Sequence, residues 1–402
     1  SMTFAAQIPY GAYWSTPFAK WQGSLSHLHS VKFAAHVAKD ELAKRGIDAA
    51  EFDYGVMGLT VPQHQSFYGL PWLTGMIGAD QVGGPTLSQV CATGVRVLQN
   101  AVAEIECGLA ETALVATCDR VSNSPQVYYP EPGGPGGTGP HENIALDNMM
   151  KDPLSGQSMT QTAENVAAKH QITTEQQHDI VLLRQAQYQD ALADGSAFLK
   201  RFMSLPFDIP SANFKKTVGR MEGDEGVFQS TREALDKMRP VIPDGSVTFA
   251  GQTYPADGNA CIIVAAPEKA KALSQEPKIA ITILGFGTAR AGLALMPEAP
   301  VPAARGALKM AGLEIGDMDA VKTHNPFAVN DIYFARETGY DIEAMNNYGC
   351  TLVWGHPQAP MGTRGIIELI EELVIRGGGK GLFTGCAAGD SAMAVVLGVD
   401  GA

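Results

Sequence analysis

Charge is scarce in this chain. Asp, Glu, Lys and Arg make up 18% of its 402 residues, and the basic ones are fewer, 29 against 42 acidic, for a formal net charge of -13. A nucleic-acid footprint needs a concentrated basic stripe, so that class of partner is excluded. Low charge with 45% hydrophobic content also excludes a disordered chain. Cys91, Cys107, Cys118, Cys261, Cys350 and Cys386 show no CxxC or CxxH spacing. Zinc and redox motifs are therefore unsupported, and a reducing compartment is the natural setting. His27 and His29 stand without a Cys or carboxylate cluster, so no metal site is expected. No apolar run approaches the ~20 residues of a bilayer span, and no basic-then-apolar signal pattern opens the chain. A cytoplasmic location, with no membrane partner, is the expectation. The stretch GGPGGTG at 133–139 lacks the GK[ST] ending of a phosphate cradle and reads as a surface turn.

What is present centres on Cys91. In PTLSQVCATGVRVLQNAVAEIECG, Val95, Leu98, Val102 and Ile105 recur at helical spacing, which puts the sulfur in the first turn of an amphipathic helix. Unpaired N–H groups and the helix dipole there lower a thiol's pKa and can hold a developing oxyanion. Taken alone, a free Cys reads as a small core hydrophobe. The second half of the chain repeats the plan. Ile366, Leu369, Ile370, Leu373 and Val374 mark the apolar face of a helix, the run Gly377 to Gly379 ends it, and a strand leads to a turn carrying Cys386. After Cys91 comes a helix to Ile105, a stop at Gly108, the strand ALVAT at 113–117 and then Cys118. Two related α/β halves packed together would bring equivalent turns to one interface.

The breaks divide the chain into a first half at 1–121 and 242–268, an insertion at 122–241 and a second half at 278–402. The insertion opens as the Pro/Gly-rich loop YYPEPGGPGGTGPHEN and continues as helices near 161–170 and 174–195. The segment from 247 reads as strand, turn and apolar strand ending at Pro267. A helix over 301–312 precedes the strand AVKTH that delivers His324. Alternating strands and helices predict an α/β fold with doubly covered sheets.

At this point the residues resemble the thiolase family. STPFAKWQGSL at 15–25, SQVCATG at 88–94, the segments 158–180 and 224–251, HNPF at 324–327, GHPQAP at 355–360 and GCAAGD at 385–390 are similar to thiolase motifs in the family's order. HNPF resembles the family's Asn-Glu-Ala-Phe motif, or its His-Asp-Cys-Phe form in the sterol-carrier-type branch. The resemblance implies a five-layered α/β sandwich of two halves, with the insertion as a loop domain that covers coenzyme A. It further implies Cys91 as the acylated nucleophile, His356 as its base, and Cys386 as the acid/base at the α carbon. His324 falls where most members have Asn, and would hold a water for the enolate oxygen. Unlike Asn, an imidazole is able to titrate near neutral pH.

A second oxyanion hole would use the backbone N–H groups of Cys91 and Ala388, although Ala388 and Asp390 stand where the family has Gly. Thr253 aligns with a Ser that touches the coenzyme. Lys215, Lys216 and Arg220 form the densest basic cluster near the insertion, with two readings: a solvated loop, or a contact with coenzyme A phosphates. Trp354 reads either as an acyl-pocket wall or as a core aromatic. Acyl-CoA and CoA would be substrates, with no tightly bound cofactor, and a homodimer or homotetramer is implied. Two rival readings are a decarboxylating ketoacyl synthase, which does not need Cys386, and a thiolase-like subunit acting with a small OB-fold protein.

Overall fold

The computed structural model describes residues 4–402. Its core is two sheets, of six and four strands, that share a four-strand connectivity. In the first, β1 (Tyr13–Ser15), β2 (Tyr54–Gly58), β3 (Thr86–Leu87), β4 (Thr112–Arg120) and β5 (Ala256–Ala265) lie in the order β1-β5-β4-β2-β3, with a short strand at Ala19–Lys20 also on β5. The second orders β6 (Ala280–Arg290), β7 (Ala320–His324), β8 (Gly379–Ala387) and β9 (Ser391–Asp400) as β6-β9-β8-β7. In each sheet a parallel pair, β2 with β4 or β7 with β8, continues into two antiparallel pairings, and the first sheet adds β3 parallel to β2. The duplication expected from the helix–Gly–strand repeat is therefore a repeat of sheet topology.

Helices α1 (Ser30–Lys44), α2 (Thr93–Glu106), α3 (Pro300–Ala311), α4 (Ala328–Thr338) and α5 (Ala359–Ile375) cover these sheets. The helix α1 packs outside the first sheet and α3 outside the second, while α2 and α5 lie between the two, which makes five layers. Burial follows from that placement. In α2 the spaced residues Val95, Leu98, Val102 and Ile105 all face the core. The apolar face read for α5 is too narrow a description: Thr363, Arg364, Glu368, Glu371 and Glu372 are buried as well.

Those charges are satisfied in pairs. Arg364 meets both oxygens of Asp224 at 2.7 Å and Glu368 at 2.9 Å, and Lys322 meets Glu368 at 2.7 Å. The guanidinium also lies over the rings of Phe18 and Trp354, 4.7 and 4.4 Å from their centroids. Trp354 is thereby a core aromatic and not a wall of the cavity beside Cys91. Asp224 reaches this pair from the insertion, so it clamps that segment to the central helix. Asp224→Ala leaves the buried Arg364 guanidinium with Glu368, itself shared with Lys322, as its only carboxylate and should destabilise the protein by about 3–5 kcal/mol, read as a lowered urea midpoint at unchanged m.

The insertion carries the helices Met159–Lys169 and Thr174–Ser196, which pack on α4. Arg184 of the longer helix pairs with Asp331 of α4 at 3.0 Å, both fully buried. Residues 249–251, expected as part of a strand, form a single 3-10 turn. Among the described residues no helix is long and apolar enough to cross a membrane.

Candidate active site

Four segments converge between the sheets. Beyond β3 the chain tightens into a 3-10 turn at Val90–Ala92 and then enters α2 at Thr93, so Cys91 sits two residues before the regular helix rather than in its first turn. Val90 has φ 48, uncommon for a β-branched residue. Thr93 Oγ1 secures the turn, accepting from Gln89 N–H (2.8 Å) and donating to Val90 O (2.6 Å). A Cβ on Gly94 would stand 2.5 Å from Thr363 N. Glycine at that position is what lets α2 and α5 cross closely enough to set the loop before α5 against Cys91.

That loop carries His356. Its N–H donates to Tyr254 O (2.9 Å) and its carbonyl accepts from Ala256 N–H (3.2 Å), which pins it to the start of β5 in the other half. His356 Nε2 is 3.0 Å from Cys91 Sγ. At the far side of the ring Nδ1 lies 3.2 Å from Gln358 N, so Nε2 is the nitrogen that faces the sulfur. Asp119, at the end of β4, accepts from Ala359 N–H (3.0 Å) and so holds the N-terminus of α5.

The parallel pair β7 and β8 supplies the rest, His324 lying opposite Gly385. His324 Nδ1 is 3.0 Å from Thr351 Oγ1, and its buried Nε2 has no partner. The two imidazole centroids are 4.5 Å apart. Cys386 lies within β8 rather than in the turn expected for it, which follows at residues 388–390. Asn330 Nδ2 donates to Cys386 Sγ at 3.4 Å.

All four side chains are buried, and burial sets their charge. It pushes the Cys91 thiol up to about 12, while the N–H groups of Ala388 and of Cys91 itself aim at the sulfur and pull the other way. Burial drives His356 down to about 3. His324 is driven well below the usual imidazole range by burial and then by His356. Cys386 is raised by burial and next by Cys91. The resting set is neutral, so charge arising during a reaction must be met by these groups alone. The expectation that His324 titrates near neutral pH fails for this reason. Cys91, His324 and His356 also offer ligand atoms within 4.8 Å of one another, a geometry that could hold a soft divalent cation once the thiol loses its proton. No spacing in the sequence signals that set.

The family model of the thiolase N-terminal domain matches residues 12–268, and that of the thiolase C-terminal domain matches residues 277–399. The chain belongs to the thiolase family. It is 31% identical to an acetyl-CoA acetyltransferase of Pseudomonas aeruginosa over 96% of this chain and 97% of that protein. It is 29% identical to human mitochondrial 3-ketoacyl-CoA thiolase, covering 95% of this chain and 96% of the human one. The crystal structure of that human thiolase in complex with CoA superposes with a TM-score of 0.88 at 27% identity, over 99% of both chains.

Other residues singled out from the thiolase motifs fall in three places. Ala388 lies against Cys91 through its N–H. Asp390, where the family has Gly, keeps a left-handed φ of 56 and accepts from Ala294 N–H at 2.7 Å, which ties down the loop before α3. Thr253 donates its hydroxyl to Thr351 O (2.7 Å), so it braces the segment that holds His324. Lys215, Lys216 and Arg220 belong to the hairpin Phe207–Pro210/Thr217–Met221, away from this set. Lys215 and Lys216 line a cavity with His36 and Phe214, and Arg220 pairs with Asp208 at 3.0 Å. Sequence reasoning passed over Asn330, Thr351 and Gln358. Asn330 had one faint signal, a polar residue in an otherwise buried helical turn.

Proposed function

We propose that this thiolase moves an acyl group between coenzyme A thioesters through Cys91, by Claisen cleavage or condensation. The observation that carries the assignment of roles is the 3.0 Å contact between His356 Nε2 and Cys91 Sγ inside a neutral, buried set that also holds Cys386. In cleavage, the sulfur attacks the keto carbon as its proton passes to His356. The N–H groups of Cys91 and Ala388, already turned to the sulfur, receive the oxyanion. The bond between the α and β carbons breaks, and Cys386 gives its proton to the α carbon, releasing acetyl-CoA. An incoming CoA returns a proton to Cys386 and takes the acyl group, and Cys91 recovers its own from His356. Throughout, CoA is a substrate and not a resident cofactor.

His324 completes the set. With Thr351 Oγ1 at Nδ1, the unpartnered Nε2 is free to donate to the enolate oxygen, directly or through a water. His324→Ala should slow the carbon–carbon step by about 10²-fold, as for removal of one oxyanion donor. His324→Asn should retain more of that step. Because the folded pKa of His324 lies far below its ordinary value, the ring stays neutral above it. The rate should therefore show no inflection from His324 between about pH 6 and 9. Unchanged thiolysis in His324→Ala across that range would reduce HNPF to a structural turn.

The coenzyme's own site has a candidate near Thr253. A cavity of about 270 Å³ is bounded by Gln252, Tyr254 and Leu352 with Phe228 and Phe249, whose exposed rings suit a planar base. The insertion supplies Phe228, in keeping with a loop domain that covers the coenzyme. Phe67 and Tyr68, 93% and 77% exposed, form an apolar patch that supports a homodimer or homotetramer. Intact-protein mass spectrometry after incubation with a panel of acyl-CoAs tests the reading. An acyl mass on the Cys91 peptide is expected; none from any thioester would overturn it.

A further inference from the structure

Beside the nucleophile lies a cavity of about 410 Å³, within the range of small-molecule pockets and larger than a two-carbon acyl group needs. Val90 and Ala388, the immediate surroundings of Cys91, form its inner wall, and Asn148, Met149 and Met159 of the insertion form its outer one. An acyl chain on Cys91 would extend into it. Gln358 also lines this space, 5% exposed and held at φ 65, a backbone region costly for a long side chain. Its Oε1 lies 3.5 Å from Cys91 Sγ, within reach of the thiol hydrogen, and its carboxamide faces the cavity.

Acylation changes that balance. Once sulfur carries an acyl group the S–H is gone and cannot donate to Oε1. An alkyl chain filling the cavity would then cover both ends of the carboxamide and leave them unpaired, a penalty of the size that separates hydrogen-bonding from apolar substrates. A hydroxyl on the chain repairs both ends at once, donating to Oε1 and accepting from Nε2–H. The distance from sulfur places such a hydroxyl on the second or third carbon of the acyl group. Asp152 and Asp390 line the same cavity without any Lys, Arg or His, so a carboxylate-ended chain would meet like charge. We infer that Gln358 is a specificity-determining residue and that the acyl group accepted by Cys91 carries a neutral hydroxyl on its second or third carbon. This rests on the thiolase reading above.

Intact-mass kinetics of Cys91 acylation by 3-hydroxybutanoyl-CoA, butanoyl-CoA and succinyl-CoA test it. The hydroxyacyl group should load at least about tenfold faster than butanoyl, with succinyl slowest. Gln358→Leu should bring the hydroxyacyl and butanoyl rates together. If that variant does not fold, Gln358→Asn, which tolerates positive φ but has a shorter reach, should show the same collapse of preference. Equal rates in the parent enzyme, or a preference that survives these substitutions, would overturn the inference while leaving the thiolase reading intact. No acylation by any of the three would overturn both.

Discussion

Cys91→Ala should abolish acyl-enzyme formation and thiolysis together, a loss on the order of 10⁴-fold or more. The variant keeps the two N–H donors, the buried imidazoles and the neighbouring cavity. It lacks only the atom that bonds to the acyl group. The one other thiol in the set, Cys386, is held up by burial and engaged by Asn330, so it is poorly placed to replace the missing sulfur. Cys91 is 5% exposed and alanine is smaller, so the fold should survive and the thermal midpoint should fall only modestly. The check is the intact mass of the variant after acyl-CoA treatment, beside a thiolysis assay. Acylation persisting at full stoichiometry would remove Cys91 from its role.

Cys386→Ala should split the reaction. Transfer of an acyl group from acetyl-CoA to Cys91 does not touch the α carbon and should persist. Bond formation and cleavage at that carbon need a positioned acid/base and should drop by about 10³-fold, within the range for loss of such a group. Measuring both half-reactions on one preparation separates chemistry from damage, because a misfolded variant would lose the two together. Condensation continuing near the parent rate would make Cys386 a packing residue and would favour a decarboxylating synthase instead.

Much of this site was legible in linear order. The spaced residues Val95, Leu98, Val102 and Ile105 do form the buried face of the helix behind Cys91, because helical periodicity is a local property. Motif order led to the thiolase family, and the family models cover the same stretches. Less legible were residues whose meaning comes from what they touch. Glu368 and Glu372 look like ordinary helix-surface carboxylates until α5 lies between two sheets, where Lys322, Arg364, Asn347 and Arg376 meet them. Lys215 and Lys216 read from their charge alone as either a solvated loop or a phosphate contact, and only the fold shows them lining a cavity with His36 and Phe214.

By itself the sequence determined the alternation of helices and strands, the duplicated plan and the residue types able to carry acyl transfer. Those depend on periodicity, turn chemistry and side-chain reactivity, which are set within a few residues of chain. Tertiary structure alone decided that His356 Nε2 stands 3.0 Å from Cys91 Sγ across a separation of 265 residues, and that Gln358 flanks the same sulfur. It decided the charge state too. A helix start argued for a lowered thiol pKa, but burial between the sheets outweighs the nearby N–H groups and keeps Cys91 protonated at rest. Desolvation depends on everything packed around a group, and no stretch of sequence contains that information.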